Sequence, residues 1–282
     1  MQDPNAGRAH VSVMPDLRPA AALTRDFVEA AATRAGLLPH AIVIKRLDKP
    51  APDIQIEPDR YLYPASMIKT PLAVAALTLV QNGEIALDQP YTVTKSNMTA
   101  NDKDSPMVTG YIATLHQIIE LMITHSDNVA TNMLFDIVGR ERATRMVAEE
   151  YGLTHTGFYR KLSGSEPLIV DPLWDKVHRN AHSAGDAAKI FEMIAREQVP
   201  FAFLLREILA RQSFNNKLSA GLNPGDHYAH KTGDTGEVTH DAGILDTGKG
   251  AAYVIAVYTG LESTDANNAR FGPFMSEINA LL

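Results

Sequence analysis

Three short strings, Ser66-Met67-Ile68-Lys69, Ser126-Asp127-Asn128 and Lys231-Thr232-Gly233, hold the residue types needed to attack an activated amide and keep its acyl group. A serine hydroxyl is a poor nucleophile until a base removes its proton. A lysine three residues further along a helix lies on the same face and can reach back to it. Lysine acts as that base only where burial or a second cation disfavours its ammonium form, and Lys231 is a candidate for the second cation. The Ser126 hydroxyl can donate and accept, which suits relaying a proton to a leaving nitrogen. Asn128 offers an amide able to bind a substrate amide and orient Lys69, while Asp127 is expected to cap the helix beginning at Asn128.

In the third string, strand alternation puts Lys231 and Gly233 on one face and Thr232 on the other. An extended ligand can pair with such a strand edge. Gly233 is expected to let its backbone approach, and Lys231 to supply charge for a carboxylate. The backbone N–H groups of Ser66 and Asp234 are candidates for an oxyanion hole, where losing one donor raises the barrier by about 3–4 kcal/mol.

A Ser-x-x-Lys string arises roughly once by chance in a chain this long, and alone it equally describes a helix-capping serine before a surface lysine. Each tripeptide should occur by accident in about one such chain in twenty. All three together, in this order, put coincidence well below about 1%.

Other elements must position these groups. Residues 18–36 have the apolar spacing of an amphipathic helix, stopped by Gly36 and Pro39. Ile42-Val43-Ile44 and Ile54-Gln55-Ile56 are expected to form a hairpin around the proline-rich 49–53 turn. Residues 67–80 are apolar nearly all round, the pattern of a helix buried inside a domain. Helices are expected over 115–122, 128–138 and 184–195, with turn-rich loops at 96–110 and 155–172. Strands at 227–231, 239–245 and 251–259 alternate with glycine-rich turns, and a last helix covers 267–282. The expected fold is α/β (α+β): an antiparallel sheet domain, residues 1–65 together with 213–282, flanked by helices, with an all-helical domain, 66–212, inserted.

The ordered motifs resemble those of the penicillin-recognising serine enzymes, class A β-lactamases and D,D-peptidases, with the class A group most similar over nearly the whole chain. The resemblance implies that Ser66 is acylated, Lys69 is its base partner and Ser126 the proton shuttle. It makes Asn128 a substrate contact and Lys231 with Thr232 the carboxylate site. That family places its deacylating glutamate in a Glu-x-x-Leu-Asn setting within a long loop. The matching string is Glu166-Pro167-Leu168-Ile169-Val170, with valine where the family has asparagine and Gly164 where it has arginine. Glu166 is the expected deacylation base, with a solvated loop carboxylate as the alternative. A valine cannot hold water through its side chain, so slow deacylation is expected.

Three acyl-transfer functions stay open: a serine β-lactamase, a D,D-peptidase or penicillin-binding protein, and a sensing module that is acylated and stays so. A metal enzyme is the remaining option. His227, His230 and His240 lie close in sequence, but His227 and His230 fall on opposite strand faces and no zinc-type string occurs. No cofactor or metal is expected.

Composition bounds the rest. The 282 residues, 45% apolar and 21% charged, suffice for a full core. The net charge of −7, without a basic patch, argues against a nucleic-acid partner. No apolar run approaches the length of a membrane span. The absence of cysteine removes disulfides, thiolate catalysis and cysteine–zinc sites. The N-terminal residues show no signal peptide. Because the chemistry concerns cell-wall-type substrates, a mature periplasmic or secreted monomer is expected, acting on a small β-lactam.

Overall fold

A computed structural model describes residues 23–100, 105–163 and 169–282. Five antiparallel strands form the main sheet in the order β2-β1-β7-β6-β5. They are β1 (His40–Arg46), β2 (Ile54–Ile56), β5 (His227–Asp234), β6 (Thr239–Asp246) and β7 (Ala252–Thr259). Sheet halves from the two ends of the chain meet where β1 pairs β7, with Val43 opposite Ala256.

Both faces of the sheet are covered, and period-two alternation explains how. In β7, Val254, Ala256 and Tyr258 join one buried cluster, while Tyr253, Ile255 and Val257 join the other. The second face packs against α1 (Arg25–Ala35) and α9 (Phe271–Asn279), which also touch each other. Thr24 caps α1 by accepting from the Phe27 N–H, and Gly36 closes it in the left-handed conformation. The last helical segment is broken in two, α8 (Asp265–Asn268) and α9.

The segment between the sheet halves carries α2 (Lys69–Gln81), α3 (Leu115–Thr124), α4 (Asn128–Val138), α5 (Arg140–Glu149), α6 (Ala184–Ala195) and α7 (Ala202–Ala210). In α2 every residue from Lys69 to Leu79 is buried, because α3, α4 and α5 surround it. The insert is not purely helical, and it touches the main sheet. Residues 90–92 and 112–114 pair as a short antiparallel ladder, β3 with β4, and α6 lies against β1, β6 and β7 of the main sheet. Three-residue strands are too short to produce a readable alternation.

A buried ion pair closes the neck of the long loop after α5. Arg140 donates to both carboxylate oxygens of Asp171, at 2.6 and 3.0 Å, and to the Tyr159 carbonyl at 2.8 Å. The Lys161 N–H also donates to Asp171, at 2.8 Å. Both charged side chains are nearly inaccessible, at 8% and 3% exposure. Removing one partner strands a buried charge, so Arg140→Ala should lower stability by about 3–5 kcal/mol, read from the urea unfolding midpoint.

Candidate active site

Ser66 lies in a 3-10 turn, Ala65–Ile68, that leads directly into α2. Ala65 takes a left-handed backbone (φ 50°), lifting the serine out of the chain's ordinary path. Ser66 is half-buried and lines a cleft of about 220 Å³ together with Ser126, Thr232, Asp234, Phe214 and Asn216.

Ser126 is set by a tight reversal between α3 and α4. The Asp127 N–H returns to the Leu121 carbonyl, and Ser126 itself is left-handed at φ 54°. That conformation costs a non-glycine residue on the order of 1–2 kcal/mol. Here Asp127 helps hold it: its Oδ1 accepts from the Ala130 N–H at 2.8 Å, capping α4, and its Oδ2 accepts from Ser105. The expected structural role of Asp127 is what its bonds describe.

The reversal places the Ser126 hydroxyl between two buried lysines, 3.1 Å from Lys69 Nζ and 3.0 Å from Lys231 Nζ. Lys69 Nζ also donates to the Ser126 carbonyl at 2.6 Å and to Asn128 Oδ1 at 2.9 Å. Both of those atoms can only accept, whereas toward the Ser126 hydroxyl the amine can donate or accept according to its charge. The expected direct hydrogen bond from Lys69 to the Ser66 hydroxyl is not among the contacts between described residues. The amine is engaged one step away, on Ser126, which shares the cleft with Ser66.

Lys231 is fully buried and donates to its neighbour's carbonyl, Thr232 O, at 2.9 Å. Burial and the nearby Lys217 ammonium push its pKa down to about 7, against the upward pull of Asp234 and Asp241. Thr232 faces the cleft, as alternation requires. At Gly233 a Cβ would lie 3.0 Å from both the Pro64 carbonyl and the Met67 side chain. Its missing side chain lets the edge strand β5 sit against the turn that carries Ser66.

Asp234 is joined by a residue that no sequence signal identifies. Lys217, 1% exposed, donates to Asp234 Oδ1 at 2.6 Å and to the His240 carbonyl at 3.0 Å. Ser263 and Thr239 also donate to Asp234 Oδ1. Burial opposes the carboxylate charge, but Lys217 and Ser263 hold its pKa below the usual range.

Two of the three histidines, His230 and His240, are held by other partners. His230 contacts Asp241 Oδ1 at 2.8 Å and Asn215 Oδ1 at 3.0 Å. His240 bonds the Tyr63 carbonyl and accepts from the Thr259 N–H, and burial lowers its pKa to about 4. Among the described residues no group of three His, Cys, Asp or Glu side chains could hold a metal. Glu166 lies outside the described residues. Val170, four positions on, is 84% exposed and does not turn into the cleft.

The sequence profile described as the β-lactamase enzyme family matches residues 23–280. The extended-spectrum β-lactamase PER-1 of Pseudomonas aeruginosa is 26% identical over 222 residues, 72% of this chain and 70% of that protein. β-Lactamase VEB-1 of the same organism is 21% identical over 223 residues, 73% of this chain and 72% of that one. Among solved structures, a leucine-to-glutamate variant of PBP-A, as an acyl-enzyme complex with penicillin G, is 26% identical with a TM-score of 0.78, covering 93% of this chain and 98% of that one. The chain belongs to the β-lactamase enzyme family, as a class A β-lactamase-like serine hydrolase.

Proposed function

We propose that the protein hydrolyses β-lactams through an acyl-enzyme on Ser66. The observation that carries this reading is the Ser126 hydroxyl, held at 3.0–3.1 Å from both buried lysines beside Ser66 in one cleft. Lys69, in its neutral form, takes the Ser66 proton, directly or through Ser126. Ser66 Oγ then attacks the lactam carbonyl, the ring C–N bond breaks, and Ser126 delivers the proton to the departing nitrogen. Asn128 binds the ligand amide, while Lys231 and Thr232 take the carboxylate. The N–H groups of Ser66 and Asp234 hold the oxyanion.

Water then cleaves the ester, with Glu166 as its base. The described residues of the chain contain no helix long and apolar enough to cross a membrane. Because β-lactams and peptidoglycan peptides are met outside the cytoplasm, we place the working protein there, as a monomer. The two halves of the sheet with α1 and α9 act as one domain and the helices of 66–212 as the other, with the cleft at their seam.

A second reading is favoured by Val170, which is solvent-exposed where the family pattern has a water-holding asparagine. Under it the protein is acylated but deacylates slowly, as a penicillin-binding protein or D,D-peptidase. Glu166→Gln separates the two. If Glu166 is the base, nitrocefin turnover should fall by about 10²–10⁴-fold while the acyl-enzyme accumulates. Unchanged turnover would assign deacylation elsewhere, and a single burst without turnover in the wild type would support the second reading.

The depressed Lys231 pKa gives a pH dependence with a definite sign. Below about 7 the free enzyme carries the cation that a ligand carboxylate needs, and above it the amine is neutral. Acylation efficiency toward benzylpenicillin should therefore fall as pH rises through 7, by about tenfold per further unit. The loss should lie in apparent binding, because a bound carboxylate restores the proton. Lys231→Arg, charged throughout, should remove this limb.

A further inference from the structure

Asp234 stands in the cleft wall with an unusual division of labour between its two oxygens. The hydrogen bonds from Lys217, Ser263 and Thr239 all end on Oδ1, and none between described residues reaches Oδ2. The side chain is nevertheless 31% exposed and lines the same cleft as Ser66 and Thr232. Thr232 and Asp234 share a face of β5, so their side chains are about 7 Å apart along the strand. A ligand carboxylate seated at Thr232 therefore has an anionic oxygen one pleat away.

The charges of the cleft can be paired off. Lys217 is buried behind Asp234 at 2.6 Å, so each cancels the other's distant field. Among the described residues at the cleft, Lys231 is then a cation for an anionic ligand, and under the proposed reaction Lys69 works as a neutral amine. The wall thus offers one carboxylate site, with an exposed acceptor oxygen beside it.

We propose that Asp234 is a charge filter: it admits ligands with one carboxylate, favours those that add an ammonium or other N–H donor near it, and discriminates against a second carboxylate. This deepens the acyl-enzyme reading above and rests on it. Chemically, the preferred class is a zwitterionic β-lactam whose amine or other N–H donor lies on the acylamino side chain, about one pleat from the carboxylate.

Ampicillin and carbenicillin test this directly, because they place an ammonium or a carboxylate at the same side-chain carbon. Rates of covalent labelling by each, with benzylpenicillin as the singly charged reference, are followed by intact mass. The wild type should prefer ampicillin over carbenicillin by at least about tenfold, and 1 M salt should compress that ratio. Asp234→Asn should bring the ratio within about threefold, mainly by accelerating carbenicillin, since Lys217 then acts uncompensated. Should that variant fold poorly, the wild-type ratio and its salt dependence still decide. Equal rates in the wild type, or an unchanged ratio in a folded Asp234→Asn protein, would overturn the filter while leaving the acyl-enzyme intact. No labelling by any of the three would overturn both.

Discussion

Ser66→Ala should show no covalent adduct with benzylpenicillin over hours, a loss of at least about 10³-fold in labelling rate. The substitution removes one oxygen from a half-buried side chain in a turn whose shape is set by Ala65 and by the packing of Gly233 against it. No hydrogen bond of the Ser66 hydroxyl to another described side chain is lost, so the unfolding free energy from urea melts should stay within about 0.5 kcal/mol of wild type. Loss of labelling with stability retained assigns the nucleophile. Labelling that persists at the wild-type rate would move the chemistry to another residue.

Lys69 carries the second large expectation, and a pair of substitutions distinguishes two roles for it. Its buried Nζ donates to Ser126 O and Asn128 Oδ1, so it both orders the Ser126 turn and stands ready as a base. Lys69→Met removes donor and base together and should slow acylation by about 10²–10⁴-fold. Lys69→Arg keeps a cation able to donate but cannot deprotonate. If Lys69 is the base, the arginine variant should be as slow as the methionine one. Arginine activity within about tenfold of wild type would reduce Lys69 to a positioning cation, and Lys231, on the same hydroxyl at 3.0 Å, would take the base role.

Much of this site was legible because its parts are local in sequence. Ser66 and Lys69 are one turn apart, Ser126 and Asn128 flank a helix cap, and Lys231 to Asp234 follow one strand. The helices 128–138 and 184–195 begin and end where capping residues and apolar spacing place them. What escaped depends on distant pairing. Lys217 sits between Asn216 and Leu218 in no motif, and its meaning comes from Asp234, on a strand it meets only in the folded chain. The Arg140–Asp171 clamp likewise joins residues from either side of the long loop.

Other differences have local physical causes. Helix α5, with the sequence RERATRMVAE, buries Arg140, Ala143, Met146 and Val147 at helical spacing, but its charged residues hide the stripe. The sequence pattern of Gly233 suits ligand approach, and a glycine on an edge strand serves equally for close contact with the protein's own backbone. Among the described residues, Lys69 meets Ser126 through its carbonyl and hydroxyl and Asn128 through its amide oxygen. Sequence spacing establishes which residues can meet, and the α3–α4 reversal decides which do.

Whether a covalent bond forms at the Ser66 oxygen is decided by intact mass and peptide mapping after mixing with benzylpenicillin. With acylation there, the mass should rise by one whole penicillin, since ring opening adds the ligand without loss, on the peptide that contains Ser66. An adduct on any other residue, or none on a folded protein that also fails to turn over nitrocefin, would contradict it.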